Sequence, residues 1–196
     1  MPHVRPLARE ALAQFEPYFQ MAEQMMGGFV PNSLFTMGHR PEILQAFMML
    51  AGVINGPGTI DPGLKQLAAY VASTAAGCRY CQAHTTTHAA HAGVDVEKIE
   101  HAFEFETHPS FSDRERAALR LARDAALVPN LVTAEHFEAL RPHFDEAQIV
   151  ELVAVCALFG FLNRWNDTMS TELESTPRAF AAEHLAGAGW TVDKHR

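Results

Sequence analysis

Several things are scarce in these 196 residues, and each scarcity closes off a class of function. Only three residues are cysteine, too few for the disulfide framework of a small secreted domain. Basic residues are few and scattered: 15 Lys and Arg stand against 23 Asp and Glu, a net charge of −8. No basic stripe is available to track a phosphate backbone, so nucleic acid is not expected as a partner. The opening segment MPHVRPLAREALAQF has no apolar core of the signal-peptide kind. The longest apolar stretch, Leu152 to Leu162, falls well short of the roughly 20 residues that span a bilayer. Sustained apolar/polar alternation flanked by hairpin turn pairs is missing too, which argues against sheets. What is plentiful is apolar surface: 48% of residues are hydrophobic and 19% charged, enough for a full core and against wholesale disorder. A soluble, cytoplasmic, non-membrane protein is expected.

Helical periodicity and helix punctuation recur throughout, so the chain reads as all-α and as one domain-sized unit. Residues 1–60 read as an N-terminal helical arm packing on the core or on a neighbouring subunit, and residues 61–196 as the helical core. The arm, roughly Arg5 to Gly27, is expected to be helical with a break near Pro17. Pro41 fits the first position of a helix running toward Ile54, and Asn55-Gly-Pro-Gly-Thr59 is a connector. Asp61 and Pro62 cap and open a helix reaching about Ala76. Gly77 then interrupts the chain before a helix from Cys78 to about Ala92, closed at Gly93. Asp95, Ser112 with Glu115, Thr133, and Asp145 with Gln148 open further helices, the last of them apolar on nearly every face. The segment after Pro177 reads as a terminal helix with a frayed tail. A weak echo between Lys65–Thr86 and Ala147–Thr168 suggests a decayed helical repeat.

Chemistry concentrates at Cys78-Arg-Tyr-Cys81. Two cysteines three apart on a helix have Cβ atoms about 5–6 Å apart and can bridge with modest adjustment. Gly77 places both sulfurs in a first helical turn, where free N–H groups and the dipole favour a thiolate. His84 falls one turn beyond Cys81, within reach to take its proton, while His88 and His91 continue the same broad face. A zinc site is disfavoured, because Cys81 and His88 are separated by about 10 Å of helical rise; partial chelation by Cys78, Cys81 and His84 stays open. His88 and His91 are first read as solvated or packing side chains. Cys156, set in an apolar run, reads as an inert core thiol. The Met and Phe run at Met21, Met25, Met26, Phe29, Phe35, Met37, Phe47, Met48 and Met49 reads as core or subunit interface ahead of a substrate lining. Trp165-Asn166-Asp167 is placed to form a polar network near the cleft, with helix capping or oligomer contact as equal readings.

Gly77-Cys78-Arg-Tyr-Cys81-Gln-Ala-His84-Thr85 resembles the carboxymuconolactone decarboxylase and alkylhydroperoxidase D family, and the likeness extends over roughly Pro62 to Leu127. That resemblance implies an all-helical fold, oligomers from dimer to hexamer, and a CxxC pair that reduces hydroperoxides or a partner peroxiredoxin. It makes Cys81 the attacking thiolate, Cys78 the resolving thiol, and the histidine after the second cysteine part of a proton relay. Two departures matter. The family's redox members place that histidine four residues after the second cysteine, where this chain has Thr85, with His84 one earlier. They also carry a glutamate in the preceding helix where this chain has Gln66, which can hydrogen-bond but cannot accept a proton. Glu42 or Glu151 is a candidate replacement carboxylate, and His88 and Gln66 are candidate relay residues.

The resulting expectation is a thiol-dependent peroxidase or disulfide reductase, with Cys81, Cys78 and His84 as catalytic residues and no metal. No tightly bound cofactor is expected, only an external dithiol reductant, with a peroxiredoxin or dihydrolipoyl-type protein as a candidate partner. Two alternatives are weighed beside it. A lyase acting on small lactone acids needs a cationic cradle, for which Arg79, Lys65 and the histidines are the candidates. A non-enzymatic module would use the cysteines as a redox sensor and the Met-rich face as a partner surface.

Overall fold

Half of the helices begin where the sequence supplies a side-chain acceptor for unpaired N–H groups. In the computed structural model, which describes residues 1–196, ten α-helices and three short 3-10 segments form the molecule, without a strand. They are α1 (Glu16–Met25), α2 (Asn32–Met37), α3 (Pro41–Asn55), α4 (Pro62–Ala75), α5 (Arg79–His91), α6 (Val96–Glu100), α7 (Asp113–Ala126), α8 (Ala134–Leu140), α9 (Glu146–Met169) and α10 (Ser175–His184). Asp61 caps α4 by accepting from Leu64 N at 3.1 Å. Reciprocal capping boxes open α7, through Ser112 and Glu115, and α9, through Asp145 and Gln148. Asp95 precedes α6 but makes no side-chain cap bond.

Three expectations are corrected. Pro17 does not break the N-terminal arm; it sits in the first turn of α1, where its missing N–H costs nothing. The change of geometry comes before it, where a 3-10 segment, Arg9–Phe15, with a kink at Leu12, runs into α1. Lys65–Thr86 and Ala147–Thr168 are not equivalent units either, since the first is α4, a turn and α5 while the second lies inside the single helix α9. Nor is the segment after α10 frayed. Trp190 and His195 are buried there, and the Trp190 indole N–H donates to Arg79 O at 3.1 Å, fastening the segment to the CxxC turn.

The largest apolar cluster unites α4, α5 and α9 and includes Leu67, Val71, Cys78, Cys81, Val155, Leu158 and Phe159. A second cluster under α7 and α8 gathers Leu121, Leu140, Phe144 and Leu152. A third seats the arm, with Leu12, Phe15, Phe19, Leu34 and Leu44 packed toward Leu162 and Trp165 of α9. By length and apolar composition α9 could cross a membrane, yet here it packs against α3, α4, α5 and α7 and buries Asn163 and Asn166. Such a helix is what a central core element requires.

The junction of α4 and α5 positions everything that follows. Gly77 adopts φ +80°, and the next N–H, of Cys78, donates back to Ser73 O at 3.0 Å. This left-handed closure ends α4 and starts α5 within two residues. An added Cβ at Gly77 would meet nothing within 4 Å, so its cost is that of the backbone conformation alone. Gly77→Ala should therefore destabilise by about 1–2 kcal/mol, whereas Gly52→Ala, in open space within α3, should stabilise by up to about 1 kcal/mol. Thermal melts of the two variants, read with a slope of roughly 2–4 °C per kcal/mol for a chain of this size, check both signs.

Candidate active site

Cys78 is the N-cap of α5, and its sulfur accepts the Cys81 N–H at 3.4 Å. The free N–H of the first turn thus serves Cys78 and not Cys81, which corrects the expectation that Cys81 is the primed anion. Both sulfurs are reduced and buried. Burial pushes the Cys81 thiol well above its ordinary range, and the hydrogen bond and charge of Cys78 push the same way. Asn166 of α9 opposes them by donating from Nδ2 to Cys81 Sγ at 3.5 Å. At rest Cys81 is a protonated thiol held by an amide. Cys156 is buried elsewhere in the core, its thiol pushed up to about 12 by burial, and it plays the inert part expected of it.

His84 lies on the same helix but is not held as a partner of Cys81. Its Nε2 is bonded to Glu174 Oε2 at 2.7 Å, with both side chains about nine-tenths buried. Tyr80 stacks on its ring at 4.4 Å between centroids and donates its hydroxyl to Glu174 Oε1 at 2.8 Å. Phe29 approaches the ring edge-on at 5.4 Å. Burial would raise the Glu174 carboxyl, but His84 and the Asn32 N–H at 2.5 Å hold it below the usual carboxylate range. The Tyr80 phenol is pushed well above its ordinary value, first by burial and then by Glu174, and stays a donor. With Nε2 committed to the carboxylate, Nδ1 is the ring nitrogen of His84 free of protein partners.

Glu174 is thus the carboxylate that the sequence left unplaced. The proposed substitutes are elsewhere: Glu42 pairs with Arg40 on the surface, and Glu151 pairs with Lys65 and accepts from Thr59. Thr85, at the family's usual histidine position, is fully buried and donates to Cys81 O at 2.7 Å, so the residue one earlier is the one that reaches the carboxylate. Gln66 lines the same cavity as Cys81, its buried Oε1 without a partner. His88 stands edge-on to His84 at 5.8 Å between centroids. Burial, with His84 and His91 adding to it, drives its pKa down to about 3, so it is a neutral wall residue at neutral pH. The signal for Glu174 was local: an acidic residue just ahead of Ser175-Thr176-Pro177, a helix-opening sequence.

Cys81, His84, His88, Gln66 and Asn166 open onto one cavity of about 620 Å³. Its walls are largely apolar: Met21, Met25 and Met26 from the arm, Phe47, Met48 and Met49 from α3, and Phe159 and Leu162 from α9. The Met and Phe run is therefore in good part a cavity lining, where core or interface was the first expectation, although Phe35 and Met37 do pack in the arm cluster. No Lys or Arg lines the cavity, and Cys78 is not among its walls. Lys65 is sealed by Ile54 O, Gly56 O and Glu151, and Arg79 reaches Gln82.

A profile of the carboxymuconolactone decarboxylase family matches residues 41–124. The debrominase Bmp8 superposes with a TM-score of 0.86 and 39% identity, covering 92% of this chain and 97% of Bmp8. The chain belongs to the carboxymuconolactone decarboxylase family. A cysteine-to-alanine variant of Bmp8 in complex with 2,3,4-tribromopyrrole is equally close, with a TM-score of 0.87 and 38% identity over 93% of this chain and 97% of that one. A peroxidase-related protein of the alkylhydroperoxidase D fold from Ralstonia eutropha shares the architecture at 22% identity and a TM-score of 0.79, over 90% of this chain and 94% of that one. Among curated sequences, the uncharacterized protein YnjA of Escherichia coli is 27% identical over 143 residues, 72% of this chain and 79% of YnjA. The family includes decarboxylases, debrominases and peroxidase-related proteins, so membership brings enzymes of several kinds onto one helical scaffold.

The buried pair of His84 and Glu174 carries a stability prediction. Glu174→Gln removes the charge that holds His84 and should cost about 3–5 kcal/mol at pH 7. Because the folded carboxyl lies below its unfolded value, its contribution is full above about pH 4.5 and is lost as pH falls through the folded value. Urea unfolding of both proteins across pH 3 to 7 should show the gap narrowing on the acid side.

Proposed function

We propose that this protein is a CxxC-dependent two-electron reductase of a compact apolar substrate, with halogenated heteroaromatic rings as the first substrate class and organic hydroperoxides as the second. The supporting observation is the division of the two sulfurs: Cys81 opens onto the apolar cavity while Cys78 lies behind it, against the Cys81 N–H. An attacking sulfur needs access to the substrate, and a resolving sulfur needs access only to its partner. The 39% identity to Bmp8 across nearly its whole length favours the halogenated ring. The lactone-acid lyase alternative is weakened by a cavity without Lys or Arg to hold a carboxylate.

The chemistry follows from the geometry. His84, charged and held by Glu174, delivers a proton from Nδ1 to the ring carbon that bears the halogen, and that carbon becomes tetrahedral. His84, neutral once its proton is given, takes the Cys81 proton, and the thiolate attacks the halogen; the carbon–halogen bond breaks and its electron pair restores the aromatic ring. Product leaves with hydrogen in place of halogen, and Cys81 holds a sulfur–halogen bond. Cys78 then attacks Cys81, forming the disulfide and releasing halide and the Cys78 proton. With a hydroperoxide, Cys81 attacks the distal oxygen, the O–O bond breaks, an alcohol departs, and Cys78 resolves the sulfenic acid with loss of water. In both cases an external dithiol returns the disulfide to two thiols, so no bound cofactor is needed. Asn166 steadies the sulfur, and Tyr80 stacks on the imidazole while donating to its carboxylate.

Exposed apolar side chains on α3 and α9, among them Met49, Leu50, Val53, Val150 and Phe161, support assembly of the chain with copies of itself. Sedimentation velocity should find a dimer or larger assembly, and Val53→Asp combined with Val150→Asp should shift it toward monomer.

Given a brominated pyrrole and dithiothreitol, the wild-type protein should release bromide over many turnovers. Cys81→Ser should release none, Cys78→Ser should stop at about one equivalent, and His84→Gln should be slower by roughly 10²–10⁴-fold, the usual worth of a positioned acid. Bromide release by Cys81→Ser at the wild-type rate would defeat the reading. Turnover of cumene hydroperoxide with no bromide release would select the second substrate class.

A further inference from the structure

The mechanism above leaves the Cys78 proton without a named acceptor, and the far side of Cys78 supplies one. Cys78 Sγ, an Asp167 carboxylate oxygen and a ring nitrogen of His195 all lie within 4.8 Å of one another. His195 is fully buried, and its Nδ1 meets Thr171 O at 2.8 Å. A carbonyl only accepts, so Nδ1 carries the hydrogen and the neutral ring presents its lone pair at Nε2. That Nε2 is buried and has no hydrogen-bond partner, standing 3.5 Å from Asp167 Oδ1.

We infer that His195 is the general base for Cys78, with Asp167 positioned to stabilise the imidazolium, so that the protein has a second proton relay behind the disulfide, separate from His84 and Glu174 in front. The inference rests on the resolving role given to Cys78 above. As the Cys78–Cys81 bond forms and the bond from Cys81 to halogen or oxygen breaks, the proton of Cys78 passes to His195 Nε2. Halide or water leaves with the electron pair, and the imidazolium sits between Thr171 O and Asp167. Burial lowers the basicity of His195 while Thr171 and Asp167 restore part of it, which keeps the ring neutral and receptive before the step. Lys194 already binds the other Asp167 oxygen at 2.8 Å, which balances that charge and argues for a proton relay over a cation site.

Four contacts seat His195 and its neighbours. Its backbone oxygen accepts from Leu173 N at 2.9 Å, Ser170 Oγ donates to Lys194 O at 2.9 Å, its ring lies 5.8 Å from that of Tyr80, and Trp190 bonds Arg79 O. The charged or titratable groups around Cys78 and His195 are Cys81 and Tyr80 from α5, Asp167 from α9 with Lys194 bound to it, and Arg178 from α10, whose Nη2 donates to His195 O at 3.5 Å.

Thiolate absorbance at 240 nm against pH tests this without any substrate, so its outcome is independent of the halide or peroxide assays. In a Cys81→Ser background Cys156 stays silent below its value of about 12, and the signal belongs to Cys78. His195→Gln should lower the midpoint by up to about one pH unit, because the neutral ring that accepts from the Cys78 S–H and so favours the thiol form is gone; an unchanged midpoint overturns the inference. Should His195→Gln release the segment, seen as a shift in Trp190 fluorescence, the full-length protein supplies a second reading. The imidazole of His195, followed by NMR, should titrate higher in Cys78→Ala than in wild type, because the thiol that donates to its neutral form is gone. Identical titration in the two proteins would overturn it as well.

Discussion

One buried negative charge organises the front of the site. Glu174 accepts from the Asn32 backbone, the Tyr80 hydroxyl and His84 Nε2, and so ties the start of α2, the first two turns of α5 and the start of α10 to a single carboxylate. A carboxylate so deeply buried persists only when its lone pairs are filled and a cation faces it. Those demands fix the orientation of His84, and with it the direction in which Nδ1 addresses the cavity. The arm and α3 then close an apolar wall over the His84 ring and the Cys81 sulfur, so that both face one cavity.

The two cysteines differ in surroundings as well as in position. Cys78 receives the helix N–H that stabilises an anion, while Cys81 is desolvated, amide-bonded and protonated at rest. An exposed low-pKa thiolate reacts with any oxidant it meets. Here the sulfur facing the cavity ionises only when something drives its proton away. In the proposed reaction that moment comes when His84 has protonated the substrate and is left able to take the Cys81 proton.

Much of this was legible in the chain because it was written in local signals. Asp61-Pro62, Ser112-Asp-Arg-Glu115 and Asp145 with Gln148 each start a helix by satisfying N–H groups within three residues, and Gly77 ends one by a backbone angle that other residues resist. The pairing of Cys78 with Cys81 and the nearness of His84 follow from helical spacing alone. Glu174, Asn166, Asp167 and His195 were harder to place, because they reach His84 or the cysteines from about 85 to 117 residues away in sequence. Only tertiary packing brings them in. The same reason explains the error over Cys81: helix position predicts a favoured thiolate, but burial by distant elements decides which sulfur keeps its proton. The Met and Phe run shows the limit of composition, since a lining and a core use the same side chains and differ only in whether a space is left between them.

The claim on which the account turns is that Cys81, and not Cys78, is the sulfur reached through the apolar cavity. Prolonged treatment of the reduced protein with a substoichiometric, ring-sized aromatic alkylating agent at alkaline pH, where some Cys81 thiolate forms, and mapping of the adduct by peptide mass spectrometry test it most directly. Both cysteines fall in one short segment, so fragment ions must separate them. The account predicts a single adduct on Cys81, suppressed by a brominated pyrrole. A first adduct on Cys78, or equal labelling with and without the ring compound, would contradict it.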